Sequence, residues 1–222
     1  MKVTVYGDSI LKGVLLEGGK YVVNHAMEEE IGRRCGLDIR NRSRFGCTIR
    51  RAMNWIRKDS ADGASGKEYA VLEFGGNDCD YDWPSIAADP DGTFDCHTPP
   101  KGFENDYREA IGLIRAGGRI PVVMTLPPVD AERYLGFICR DGLPRENILH
   151  WLGDVGAIAR WQEKYSELVT RIAKEEKTVL IDLRSAFLND GGGLRDLLCA
   201  DGIHPSRAGQ ELICRTVCGS MA

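Results

Sequence analysis

Five short runs of strand-forming residues alternate with longer amphipathic stretches, and this alternation constrains the fold more than any other feature of the chain. The runs are KVTVY (2–6), LDIR (37–40), YAVLEF (69–74), RIPVVMTL (119–126) and TVLIDL (178–183). Three of them are nearly continuously apolar, which suits strands of a parallel sheet covered on both faces. Helical patterns lie between them. One spans about 24–34, with Asn24 placed to cap it and Met27 and Ile31 four residues apart; another, 48–58, turns Met53, Trp55 and Ile56 inward. Further patterns cover 102–116, ending at Gly117-Gly118, then 155–176, and finally Pro205 to about 218, with Pro205 in the first turn. Strands alternating with helices require right-handed crossovers. The expected fold is therefore α/β: a three-layer α/β/α sandwich around a five-stranded parallel sheet in flavodoxin-like order, as one domain over residues 1–222.

Two segments break the alternation. Residues 79–100 are rich in proline and aspartate, and 127–152 opens with Pro127-Pro128 and carries several aromatic residues. Each follows a predicted strand, so each should leave the sheet at its carboxyl edge, where open α/β sheets bind ligands. Loops of this length in a compact domain act as lids or binding segments. Their aromatic content, including Tyr81, Trp83, Phe94, Tyr134, Phe137 and Trp151, argues against disorder.

Composition narrows the partners. With 29 Lys and Arg against 33 Asp and Glu, the net charge is −4, and basic residues are dispersed among acidic ones. No positive face for nucleic acid or an anionic membrane is expected. No stretch reaches the roughly 18 apolar residues that span a bilayer. The start, MKVTVYGDSI, runs straight into a strand-like segment without an apolar leader, so the expected setting is the cytoplasm, with the eight cysteines as free thiols. No CxxC pair occurs, which argues against a structural zinc site. Oligomeric state has no signature in the sequence.

Four turns carry residues suited to chemistry. The first strand ends in Gly7-Asp8-Ser9, where a serine hydroxyl and its backbone N–H can both face a ligand. Asp201-Gly202-Ile203-His204-Pro205 places an aspartate and a histidine three apart, so that the carboxylate can accept from Nδ1 while Nε2 faces the cleft. A serine hydroxyl needs such a base, since it is protonated at neutral pH. Arg44-Phe45-Gly46-Cys47 and Gly75-Gly76-Asn77-Asp78 follow the second and third strands and offer an unobstructed glycine N–H and an uncharged amide donor. Each turn alone is ordinary turn composition. Together they supply a nucleophile, a base, its orienting acid and donors for an oxyanion, all on one edge of the sheet.

In that order, the segments VYGDSILKG, NRSRFGCTI, FGGND and DGIHPS resemble the four sequence blocks of the SGNH hydrolases, also called the GDSL esterase/lipase family, across residues 5 to 206. The resemblance implies that Ser9 is the nucleophile, His204 its base and Asp201 the orienting acid. It further implies an oxyanion hole from the N–H groups of Ser9 and Gly46 and the side chain of Asn77. Such enzymes cleave carboxylic esters through an acyl-enzyme, so no cofactor is expected. The expected partner is a small acyl ester or an acylated carbohydrate. Asp8, Asp78, Tyr81, Trp83 and Trp151 are the candidate substrate contacts. The same residues would also serve a thioesterase or an acyltransferase, and the fold could persist in a binding module without catalysis.

Other readings of these residues weigh less. Asp8, Asp78, Asp201 and His204 make an oxygen-rich set, but the accompanying glycine and asparagine suit an oxyanion better, so no metal is expected. Cys47 and Cys79 lie beside the proposed hole, and packing is their expected role. His97 and His150, in the long loops, are left outside the catalytic set.

Overall fold

In the computed structural model, which describes residues 1–220, five parallel strands form the central sheet: β1 (Lys2–Gly7), β4 (Asp38–Asn41), β5 (Glu68–Glu73), β6 (Ile120–Met124) and β7 (Val179–Ile181). Their spatial order is β4-β1-β5-β6-β7, the flavodoxin-like arrangement, with β1 paired to β5 over its full length from Lys2↔Glu68 to Gly7↔Glu73. Helices cover both faces. On one side α2 (Ile49–Ala61), α4 (Pro100–Ala116) and α7 (Gly156–Glu175) bury Ile56, Ile111 and Val169 against Leu72 and Val123. On the other, α1 (Ala26–Cys35), α8 (Leu183–Asn189), α9 (Leu194–Leu197) and α10 (Arg207–Gly219) bury Ile31, Phe187 and Ile213 against Val3 and Val122. The result is an α/β/α sandwich in which β1 and β5, inside the sheet, are covered on both faces, as their largely apolar runs suit.

Two helix starts differ from the sequence expectation. Pro205 does not open the last helix: it pairs as an extended residue with Leu198, and Ser206 caps α10 by accepting the Gly209 N–H. A serine hydroxyl satisfies an otherwise free helical donor, which proline cannot do. Asn24 stands one residue before the cap position of α1, which His25 occupies; its Oδ1 still accepts the N–H of Ala26, the first residue of the helix, while its amide donates to Gln210. Trp55 is only half-buried, beneath the Arg44 guanidinium.

An antiparallel hairpin stands outside the main sheet, formed by β2 (Val14–Glu17) and β3 (Lys20–Val23). Gly18 and Gly19 both have positive φ and make its two-residue turn. The two long segments are also structured. Residues 79–100 contain α3 (Trp83–Ala88), and 127–152 contain α5 (Ala131–Ile138), a tight 3-10 turn (Cys139–Asp141) and α6 (Arg145–Leu152). These short helices and the start of α7 share a separate apolar cluster of Trp83, Ile86, Leu135, Ile148 and Ile158, which roofs the carboxyl edge of the sheet. All eight cysteines carry free thiols, with Cys35 and Cys218 facing each other between α1 and α10.

Candidate active site

The four motif turns meet at that carboxyl edge. Ser9, directly after β1, has its Oγ 2.9 Å from Nε2 of His204, and Nδ1 of His204 lies 2.7 Å from Oδ2 of Asp201. The aspartate and histidine come from one compact turn. Asp201 Oδ1 accepts the N–H groups of Ile203 and His204, and Cys199 N–H is bound by the His204 carbonyl. Gly202 sits in the left-handed region at φ +76°, and a side chain there would meet the Asp130 carbonyl at 2.5 Å. Only glycine lets the turn dock against the start of α5, where the Asp130 N–H donates to the Gly202 carbonyl. Asp201 is fully buried. Burial disfavours its charge, but the hydrogen bond and charge of His204 and the two N–H donors outweigh this and hold the carboxyl below its usual range.

Donors surround the serine. Gly46 lies at φ +65° in the turn after β4, and both it and Ser9 line the cavity. Neither backbone N–H donates to an acceptor among the described residues. The Asn77 side chain also faces this space. One of its two Nδ2 hydrogens goes to Asp8 Oδ2 at 2.9 Å, which leaves the other free. His97, from the first long segment, donates from Nδ1 to the Asn77 carbonyl and so fixes the Asn77 backbone. His150 instead pairs at the surface with Asp91.

The cavity above Ser9 has a volume of about 790 Å³ and is bounded by both long segments. Of the candidate substrate contacts, Asp8, Tyr81, Trp83 and Trp151 line it. Tyr81 packs edge-on against both Trp83 and Trp151, and Trp83 is largely buried in the roof. Asp78 does not line it. Its carboxylate is fully buried and accepts the Ile49 N–H at the start of α2, and burial raises its pKa to about 7. Burial also raises Cys47, to about 12, and places Cys79 well above the ordinary thiol range, so neither offers a thiolate.

Sequence reasoning missed several residues of the site. Tyr21, delivered by β3, lies with its ring 4.9 Å from that of His204, and Phe45 stacks on the same imidazole at 5.9 Å. Two adjacent glycines between the runs VLLE and KYVV are the hairpin signal that would have found Tyr21. Asp80 ties the two long segments together by accepting from Trp83 Nε1 at 2.8 Å and from the Tyr134 hydroxyl at 2.7 Å. Glu73, at the end of β5, is buried beside Asp8.

Residues 5–212 match the GDSL-like lipase/acylhydrolase family, and the chain belongs to it, among the ester hydrolases of the SGNH type. An isoamyl acetate-hydrolyzing esterase of Saccharomyces cerevisiae is 25% identical over 217 residues, covering 95% of this chain and 82% of that protein. Among solved structures, a lipase/acylhydrolase from Enterococcus faecalis superposes with a TM-score of 0.69 at 18% identity, over 99% of this chain and 94% of that one. An acetylxylan esterase from Geobacillus stearothermophilus superposes with a TM-score of 0.64 at 18% identity, over 100% and 94%. At these identities the structural matches speak for the fold. Among the described residues, no helix is long and apolar enough to cross a membrane.

Proposed function

We propose that this chain hydrolyses carboxylic esters of short acyl groups through an acyl-enzyme on Ser9. The observation that carries the reading is the hydrogen-bonded chain Ser9–His204–Asp201, set beside two unengaged backbone N–H groups and a half-free amide. Ser9 Oγ attacks the ester carbonyl as Nε2 of His204 takes its proton, and Asp201 steadies the imidazolium that forms. The carbonyl oxygen becomes an oxyanion held by the N–H groups of Ser9 and Gly46 and by the Asn77 amide. On collapse the carbon–oxygen bond to the alcohol breaks, and His204 gives its proton to that alcohol. Water then attacks the acyl-enzyme by the same route, which releases the acid and restores Ser9.

Short acyl groups, acetyl above all, fit the names of the two esterase relatives, one of isoamyl acetate and one of acetylxylan. The wall of Tyr81 and Trp151 offers aromatic faces against which a sugar ring or other compact alcohol would stack. Release of acid from a panel of p-nitrophenyl acetate, butyrate and decanoate, with acetylated xylan beside them, tests the reading. Rates should fall with chain length, and Ser9→Ala and His204→Ala should abolish turnover. An enzyme that hydrolyses none of these, or does so unchanged without Ser9, refutes it.

A further inference from the structure

Behind the Asn77 amide stand two buried carboxyls that the proposed reaction does not use directly. Asp8 and Glu73 are each 1% exposed and sit at the ends of the paired strands β1 and β5, where Gly7 lies opposite Glu73. Asp8 has well-defined partners: Oδ1 accepts the Ile10 N–H at 2.8 Å, and Oδ2 accepts from Asn77 Nδ2 at 2.9 Å. Glu73 is buried beside Asp8 on the floor of the same cavity, and its Oε2 has no donor among the described residues. Two carboxyls buried side by side favour keeping a proton on one of them, because two carboxylates would only repel. The surroundings favour protonation of Glu73. The buried Asp78 carboxyl acts on it from the turn after β5, the Tyr107 hydroxyl of α4 is spent on the Leu72 carbonyl, and the positive influence of His204 falls on Asp8. Burial and then the neighbouring Asp8 charge hold Glu73 well above the usual carboxyl range.

We infer that Glu73 is a positioning residue: as a neutral acid it donates to Asp8 and fixes the carboxylate that grips Asn77, so that the free N–H of Asn77 points at the substrate's carbonyl oxygen. The inference rests on the esterase reading above. It explains why an acidic side chain lies at the floor of a site that must stabilise an anion: a neutral Glu73 adds no charge there, and the single charge on Asp8 is engaged by two N–H donors. Without the Glu73 donor, Asp8 keeps only the Ile10 N–H besides Asn77 itself, and the Asn77 amide is held less firmly. A misdirected donor weakens the transition state more than substrate binding, so the effect belongs in kcat.

The test is a double-mutant cycle on p-nitrophenyl acetate hydrolysis. Glu73→Gln, whose amide donates as the acid does, should keep kcat within about threefold of wild type. Glu73→Met, of similar length without a donor, should lower kcat about tenfold with KM changed by less than about twofold. In an Asn77→Ala background the same Glu73→Met change should cost less than about twofold, because the group it positions is gone. A loss in Glu73→Gln equal to that in Glu73→Met, or a Glu73→Met loss undiminished without Asn77, overturns the role. Should Glu73→Met not fold by circular dichroism, Glu73→Gln decides alone, and about a tenfold loss there overturns it. A wild type that neither turns over the ester nor labels at Ser9 with a fluorophosphonate refutes the esterase reading, and the positioning role falls with it. A wild type that does both while the cycle is additive overturns the Glu73 role only.

Discussion

His204 receives both its orientation and its place in the chain from Asp201: Oδ2 of the aspartate meets Nδ1 of the imidazole at 2.7 Å, while Oδ1 holds the backbone N–H of the same histidine at 3.1 Å. These two oxygens have separable jobs. Asp201→Asn keeps an acceptor for the turn but replaces the other with an N–H donor, which forces the wrong imidazole tautomer. Its kcat should fall on the order of 10⁴-fold, while thermal unfolding stays close to wild type. Asp201→Ala should lose the activity and also destabilise the fold by about 1–3 kcal/mol, since two buried N–H groups lose their acceptor. Equal melting temperatures for the two variants would contradict this division.

One hydrogen of the Asn77 amide goes to Asp8, and in the proposed reaction the other goes to the oxyanion. Replacing it with alanine should cost about 10²–10³-fold in kcat, with KM little changed. Steady-state kinetics on a soluble acetate ester reads both values, and an unchanged kcat would take Asn77 out of the oxyanion hole.

Asp80 is one of several polar ties across the roof of the cavity, beside Asn147 to the Ala87 carbonyl, Trp151 to the Gly92 carbonyl and His150 to Asp91. Asp80 accepts from Trp83 in the first long segment and from Tyr134 in the second. Asp80→Ala should destabilise this roof by about 1–3 kcal/mol through the loss of two part-buried bonds. Limited proteolysis should then cut within 79–100 and 127–152 sooner than in wild type, and KM should rise more than kcat falls. Unaltered cleavage kinetics would show that the apolar cluster beneath, not Asp80, holds the two segments together.

Asp78 makes a prediction about pH. Its pKa is raised to about 7 by burial, against about 3.9 in an unfolded chain. Between those values the folded protein keeps a proton that the unfolded chain has lost, so this group makes stability fall as pH rises from about 4 to 7. Asp78→Asn removes the titration while keeping an acceptor for the Ile49 N–H. Urea unfolding of the variant should therefore decline less over that range than wild type, and parallel curves would show that Asp78 ionises normally.

Much of the fold can be read from the strand runs, because strands buried on both faces are largely apolar, as the middles of β1, β5 and β6 are. The turns bearing Ser9, Gly46, Asn77 and His204 are legible for a related reason: each follows a strand or precedes a helix, so its side of the sheet is set by topology. Tyr21 is not legible in that way. It reaches His204 from a hairpin outside the sheet, through packing that no periodicity encodes. Asp78 shows the opposite failure. It is adjacent in sequence to a cavity residue, yet one step along the chain turns its side chain away, into the start of α2. Pro205 fits a helix start by residue type, but the chain spends it on an extended pairing with Leu198, directly after His204.

The most direct measurement is the intact mass of the purified protein after reaction with a fluorophosphonate, with Ser9→Ala alongside. One adduct on the wild type, mapped by peptide mass to Ser9, and none on the variant is the predicted result. A folded wild type that takes up no adduct, or a variant labelled as readily as wild type, would contradict an activated Ser9 and with it the proposed function.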